Sequence, residues 1–240
     1  MNRLDLHLPS PAENLAADEA LLDSCEAGEG GATLMFWEPA TTFVVVGYAN
    51  KVATEVNVAA CEKKGVPVFR RCSGGGTVVQ MIGGLNYSLI LRITETGPTR
   101  NITAANQFIM EKNRAAIAGL LPGAEISVRG HTDLCLGDLK FAGNSQRRRK
   151  KFLLFHGTLL LNCDLNLISE FLMMPTLQPD YRASRPHEIF VTNLKLPAEQ
   201  IKTALAEAWN ADKPAPAPPT AAIARLVTGK YSLDSWNRKF

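Results

Sequence analysis

The sequence predicts an α+β fold: mixed or antiparallel sheets flanked by helices. Three observations lead there. The 240 residues are 46% hydrophobic and 20% charged, as in an ordinary globular chain. Short β-branched and aromatic runs outnumber helical stretches. Several of those runs follow one another across tight turns, as hairpin strands do.

The elements follow in order. Pro11 to Ser24 carries apolar residues at helical spacing, with Leu15, Ala16, Ala20 and Leu22 on one side and Glu13 and Asp18 elsewhere. Glu26 to Ala32 is a glycine-rich connector. Thr33–Trp37 and Thr42–Gly47 read as strands. Asn57 to Lys64 is a short helix closed by Gly65. Val66–Arg71, Thr77–Met81 and Leu85–Ile93 are further strands, and Thr103 to Leu120 is a long amphipathic helix ended by Leu121-Pro122-Gly123. Asp133–Leu136 and Lys140–Arg147 flank a turn at Gly137-Asp138. Lys151–Leu161 pairs back through a basic turn. Leu165–Met174 and Ala198–Trp209 are helical. Lys213 to Pro219 reads as an extended proline-rich linker. The expected organisation is one main domain over 1–212, the linker over 213–219 and a short segment over 220–240.

Composition excludes several classes. At roughly 150 residues per domain the chain holds one large domain or two small ones. It is long enough to bury a core without a disulfide or metal staple. The net charge of +3 is too small to argue for nucleic acid, and only Arg147-Arg148-Arg149-Lys150-Lys151 is densely basic. That run reads as a solvated hairpin tip, able to steer an acidic partner. Five cysteines, Cys25, Cys61, Cys72, Cys135 and Cys163, show no CxxC and no metal-ligand spacing. They read as reduced thiols. No stretch reaches the ~18 apolar residues of a membrane span, and Met1 to Leu22 lacks the apolar core of a secretory signal. The expectation is a soluble cytoplasmic protein with no membrane or nucleic-acid partner.

The most informative stretch is Arg71-Cys72-Ser73-Gly74-Gly75-Gly76-Thr77-Val78-Val79. Consecutive glycines cost backbone entropy, about 0.5–1 kcal/mol each in a regular element. A chain keeps them where backbone must approach a ligand closely. Neither GxxxxGK[ST] nor a GxGxxG opening a helix is present, which excludes a P-loop and a dinucleotide fingerprint. Two readings remain: a strand–loop–strand cradle whose N–H groups meet a phosphate or carboxylate, with Arg70 and Arg71 as charge partners, and a flexible bulge at a sheet edge; the Arg-Arg pair and Ser73 favour the cradle.

A second candidate is Gly137 to Gln146. Lys140 lies in a strand, and Gly143 and Ser145 leave room above the sheet for a ligand. A lysine there supplies a mobile positive charge. Asn144 and Gln146 offer hydrogen-bonding groups on the opposite side of the strand. His156-Gly157-Thr158 follows in the next strand. With no carboxylate partner evident, His156 reads as a buried, satisfied histidine rather than an acid/base group.

Taken together, RRCSGGGTVV (Arg70 to Val79), Asn86-Tyr87-Ser88, GDLKFAGNSQRRRK (Gly137 to Lys150) and HGTLL (His156 to Leu160) resemble the lipoate–protein ligase A family, within the biotin/lipoate ligase and octanoyltransferase group. ENLAADEALL, QPDYRASRPH (Gln178 to His187) and Lys230-Tyr231-Ser232 extend the likeness over nearly the whole chain. The resemblance implies a fold like the catalytic domain of biotin ligases and class II aminoacyl-tRNA synthetases. It also implies a two-step reaction. Lipoate and ATP with Mg2+ give lipoyl-adenylate, and a lysine of a lipoyl domain or a glycine-cleavage H-like protein then takes the acyl group. By position in the motifs, Arg71 lies at the adenylate, Gly76 to Val79 contact the nucleotide, and Lys140 touches the lipoate carbonyl and the α-phosphate. Ser73, Gly74, Gly75, Asn86, Asp133, Gly143, Asn144, His156, Gly157 and Thr158 complete the implied binding set, with the metal ligands unassigned. Val44, Val46 and Val78 are candidates for an apolar acyl slot and, equally, for a plain core.

Two rivals stand beside this reading. An octanoyltransferase would pass the acyl group through a thioester on Cys135 or Cys72. A non-catalytic module would only hold the lipoyl or adenylate ligand. Many family members carry an accessory domain of about a hundred residues that this sequence does not show; the expectations are a separate accessory polypeptide as partner, an enzyme that does without it, or a chain that performs only the transfer step.

Overall fold

The computed structural model describes residues 1–240. The strands are β1 (Asn2–Asp5), β2 (Thr33–Trp37), β3 (Phe43–Val46), β4 (Val68–Arg70), β5 (Val78–Gln80), β6 (Gly84–Arg92), β7 (Ile126–Arg129), β8 (Asp133–Leu136), β9 (Leu139–Arg148), β10 (Phe152–Leu160) and β11 (Lys213–Pro214). The helices are α1 (Pro11–Ala27), α2 (Val52–Glu55), α3 (Val58–Lys64), α4 (Ile102–Gly119), α5 (Asn166–Phe171), α6 (Ala198–Ala208), α7 (Thr220–Leu226) and α8 (Asp234–Asn237).

Eight strands form one sheet in the order β11-β1-β2-β6-β10-β9-β8-β7, and β4-β3-β5 form a second. Pairing is parallel for β1 with β2 and with β11, and for β3 with β4. The remaining pairs are antiparallel. The mixed α+β architecture is the predicted one.

Strand phase explains the layers. In β2, Leu34 and Phe36 join the core under α4 and α6, whereas Met35 and Trp37 join the core under α1. Both faces are covered: β2 is apolar after Thr33, and β6 is buried from Gly84 to Leu91 although it carries Asn86 and Ser88.

α1 begins at a capping box between Ser10 and Glu13 and ends at Gly28, whose φ of 89° is left-handed. It runs three residues past the predicted Ser24. α5 is shorter than the predicted Leu165–Met174, because Leu172 returns to extended backbone. β1 and β7 have no counterpart in the sequence reading.

Lys213–Pro214, expected inside an extended linker, pairs with β1. The residues after it pack on α1: Ile223 and Tyr231 are buried in its core. Glu19 of α1 accepts from Lys230 Nζ at 2.6 Å and from Tyr231 Oη at 2.8 Å.

The basic turn is tied down as well. Arg149 pairs with Asp23 at 2.8 Å, Glu26 accepts from the backbone N–H groups of Lys150 and Lys151, and Arg148 donates to Thr99 O. Only part of that charge is free to steer a partner.

Candidate functional site

The glycine loop joins β4 to β5, and its shape is set by Arg71. The guanidinium donates to Ser73 Oγ at 3.0 Å, to Gly74 O at 2.5 Å and to Gly76 O at 2.7 Å. Burial lowers its pKa to about 10. Gly75 has φ 81°, and a Cβ on Gly47 would lie 2.1 Å from Gly75 O. The end of β3 and the loop therefore approach as bare backbone. Ser145 of β9 closes the loop from the other side, donating to Gly74 O at 2.8 Å.

Arg70 departs from expectation. It is fully buried and donates to the carbonyls of Gly47, Tyr48, Asn50, Trp236 and Asn237. Its charge is spent behind the loop, so it is not a charge partner for a ligand.

Lys140 opens β9. Its Nζ stands 2.8 Å from Asp133 Oδ1, across a bulge in the β8–β9 pairing. Tyr181 donates to the other oxygen, Asp133 Oδ2, at 2.7 Å. Burial and the adjoining carboxylate hold the Tyr181 phenol far above its ordinary pKa, so it stays a donor. The lysine amine folds back over Gly143, where a Cβ would lie 3.0 Å from Nζ. Backbone bonds from Lys140 to Phe190 and Thr192 bring the 187–192 segment alongside.

β10 supplies His156, whose Nδ1 lies 2.6 Å from Asp18 Oδ2 of α1 and whose Nε2 lies 2.5 Å from Ser73 Oγ. The carboxylate partner that the sequence did not offer is therefore present, 138 residues upstream. Thr158, Asn86 and Gln80 form a closed polar triangle at 2.6–2.9 Å. Asn144 accepts from Tyr87 Oη at 2.5 Å and donates to Thr132 O at 2.7 Å. Its side chain fills the space that a Cβ on Gly157 would take. Gln146 is engaged with Asn106 of α4.

Arg71, Asp133, Lys140, Asn144, His156 and the polar triangle of Gln80, Asn86 and Thr158 line one cavity of about 840 Å3, a size suited to a small ligand. Of the predicted set, Arg71, Gly75, Gly76, Thr77, Val78, Asn86, Asp133, Lys140, Gly143, Asn144, His156, Gly157 and Thr158 reach its wall. Ser73, Gly74 and Val79 do not: Ser73 and Val79 are buried and Gly74 faces outward. Val44 and Val46 also miss it, lying in the core with Cys61 and Phe171. Val45, of opposite phase, takes the lining place together with Leu15, Trp37 and Val78. Sequence reasoning passed over Asp18, Tyr87, Arg182 and His187, all on the wall. Their signal was present only as membership in the segments ENLAADEALL, NYS and QPDYRASRPH, which carry the family resemblance.

All five cysteines are buried, and none lines the cavity. Burial pushes the Cys72 thiol up to about 12 and raises that of Cys135. No group of three His, Cys, Asp or Glu side chains converges to hold a metal ion.

The family model for the lipoyl protein ligase A/B catalytic domain matches residues 10–209. The chain belongs to that family. Among lipoyl ligase relatives, it is 30% identical over 166 residues to lipoate-protein ligase A subunit 1 of Thermoplasma acidophilum, covering 68% of this chain and 63% of that one. It is 26% identical over 265 residues to the octanoyltransferase LipM of Geobacillus kaustophilus, covering 95% of this chain and 94% of that one. The matched region spans only 46% of the length of two Mycoplasma relatives named for lipoate-protein ligase A. Among solved structures, a lipoate-protein ligase A bound with ATP superposes with a TM-score of 0.81 at 24% identity, over 99% of this chain and 98% of that one. A bi-partite lipoate protein ligase from Thermoplasma acidophilum, described with its E2 lipoyl domain, gives 0.81 at 23%, over 99% and 96%. The lipoyl ligase fold expected from the sequence is thus the fold observed.

Proposed function

We propose that this chain activates lipoate with ATP as lipoyl-adenylate and transfers the lipoyl group to a lysine of a lipoyl domain or an H-like acceptor. The observation that carries the reading is a single cavity shared by the Asp133-held ammonium of Lys140, the Arg71-shaped glycine loop and an apolar wall of Leu15, Trp37, Val45 and Val78.

Each part has a task. The apolar wall buries the dithiolane and alkyl chain. Adenylation brings a carboxylate oxygen onto the α-phosphorus and expels pyrophosphate, so negative charge crowds together. Lys140 opposes that charge, and Asp133 with Tyr181 fixes where the ammonium points. Loop N–H groups offer further donors. Closing the cavity protects the mixed anhydride from water. Magnesium, when bound with the nucleotide, would neutralise phosphate charge. The chain offers no cluster of ligands for that ion by itself, and no step here runs through it. The E2 lipoyl domain named with the archaeal relative supports a lipoyl domain as acceptor. The bi-partite relative supports a separate accessory polypeptide.

The LipM match over 95% of the chain favours a second reading, acyl transfer from a carrier protein. It needs a reactive thiol, and the burial of Cys72 and Cys135 speaks against one. Mass spectrometry of an apo lipoyl domain decides between them. We expect lipoylation with lipoate and Mg-ATP, accompanied by pyrophosphate release. Modification only when octanoyl carrier protein is supplied would establish the transferase instead, and ligand binding without pyrophosphate release would establish a mere binder.

A further inference from the structure

A continuous hydrogen-bonded line runs from α1 to the glycine loop. Asp18 Oδ2 meets His156 Nδ1 at 2.6 Å, His156 Nε2 meets Ser73 Oγ at 2.5 Å, and Ser73 Oγ accepts from Arg71 Nε at 3.0 Å. The second oxygen, Asp18 Oδ1, accepts from the Ser88 hydroxyl at 2.5 Å. Asp18 and Ser73 are buried, while His156 lies at the cavity wall.

The line fixes the imidazole without fixing its charge. A carboxylate only accepts, so Nδ1 carries a proton in either state. A hydroxyl both donates and accepts. Ser73 gives its proton to Nε2 of a neutral ring and accepts from Nε2 of a cationic one. The ring can therefore gain and lose a proton with its heavy atoms in place. The buried Asp18 carboxylate stabilises the cation, whereas Arg71 of the loop and Lys140 of β9 oppose it. Glu19, next to Asp18, is already paired with Lys230, Tyr231 and Arg149. A ring needed only to clamp the loop has no use for this charge tolerance.

Its position suits the transfer step. The Lys140 ammonium lies over Gly143, Gly143 pairs with Thr158, and His156 is two residues along β10 on the same face. Two strand residues span roughly 7 Å. The imidazole and the Lys140 amine therefore share one face of the sheet at the same cavity.

We propose that His156, oriented by Asp18, is the general base that takes a proton from the acceptor amine during transfer. The inference rests on the ligase reading above. The incoming lysine ammonium must shed two protons in all. One leaves before attack and passes to His156 Nε2, which must first release the Ser73 hydroxyl. The nitrogen's lone pair then forms the C–N bond, the C–O bond to phosphate breaks with its pair, and AMP departs. The second proton goes to the leaving phosphate or solvent, and His156 returns its own to water.

The test supplies synthetic lipoyl-adenylate to the full chain and reads single-turnover amide formation on an apo lipoyl domain. We expect His156→Gln to slow transfer by about 10²–10³-fold. It should also flatten the dependence of the transfer rate on pH, and Asp18→Asn should alter that dependence. Hydroxylamine, uncharged at neutral pH, needs no base. With it as acceptor, His156→Gln should come within several-fold of the wild type. Transfer to the lipoyl domain at the wild-type rate by His156→Gln overturns the proposal. So does an equal loss with both acceptors, the mark of a loop clamp. A wild type that transfers from the supplied adenylate but releases no pyrophosphate from lipoate and ATP refutes the activation half of the ligase reading and leaves this inference standing. A wild type that does not transfer from the adenylate sinks both.

Discussion

Lys140 and Asp133 form an ion pair at 2.8 Å across the bulged β8–β9 ladder, and the same carboxylate is gripped by Tyr181 at 2.7 Å. The pair aims a charge that Lys140 alone, with its four-carbon stem, would leave mobile. Lys140→Ala should lower lipoate-dependent pyrophosphate release by about 10²–10³-fold, the usual cost of a lost charge contact in a transition state. Tyr181→Phe keeps the charge and loosens the aim, so about tenfold is expected. Near-normal release from Lys140→Ala would remove the lysine from the chemistry.

The thiols give the second prediction. At neutral pH a thiol titrating near 12 holds almost no thiolate. Replacing Cys72 and Cys135 together by Ala should leave ligation within a few-fold of wild type. Both should resist iodoacetamide until denaturant is added. Total loss of acyl transfer in a folded double variant would point to the thioester route.

Glu19 anchors residues 230 and 231 to α1, with Arg149 3.5 Å away. Glu19→Ala would strand a partly buried ammonium and a buried phenol. Breaking a buried pair costs about 3–5 kcal/mol. Lys230 keeps some solvent contact, so a loss of about 2–3 kcal/mol in urea unfolding is expected. A change below about 0.5 kcal/mol would show that the anchor contributes nothing.

His187 sets an acid-side dependence. Burial, assisted by the neighbouring Arg182, lowers its pKa below the ordinary value of about 6.5. As pH falls through that value the unfolded chain takes the proton first, so stability declines on acidification. Urea midpoints measured from pH 7.5 down to 5 should fall, and His187→Gln should flatten the decline. An unchanged slope in the variant would rule the histidine out as its source.

The loop and the lysine strand were legible because local chemistry marks them. Glycines in a row and a lysine beside small residues signal close approach wherever the chain goes. Asp18 gave no such mark. It sits off the apolar side of its helix in sequence, yet α1 is enclosed by the sheet and the segment after β11, which buries its polar side too. Its partner is 138 residues away. The acyl slot shows another limit. β3 was evident as a strand, but its unbroken Phe-Val-Val-Val run gives no phase, and phase decides whether Val45 or the pair Val44 and Val46 meets the cavity. Short strands such as β1, with Asn2, Arg3 and Asp5 among four residues, carry too little pattern to detect.

The buried guanidinium of Arg70, shared between the end of β3 and the carbonyls of Trp236 and Asn237, has a consequence for biosynthesis. Those last carbonyls are translated some 165 residues after the arginine that needs them. Until they emerge from the ribosome, one side of that cation faces either water or nothing. The backing of the glycine loop is therefore completed only after residues 236 and 237 have emerged, long after the loop itself.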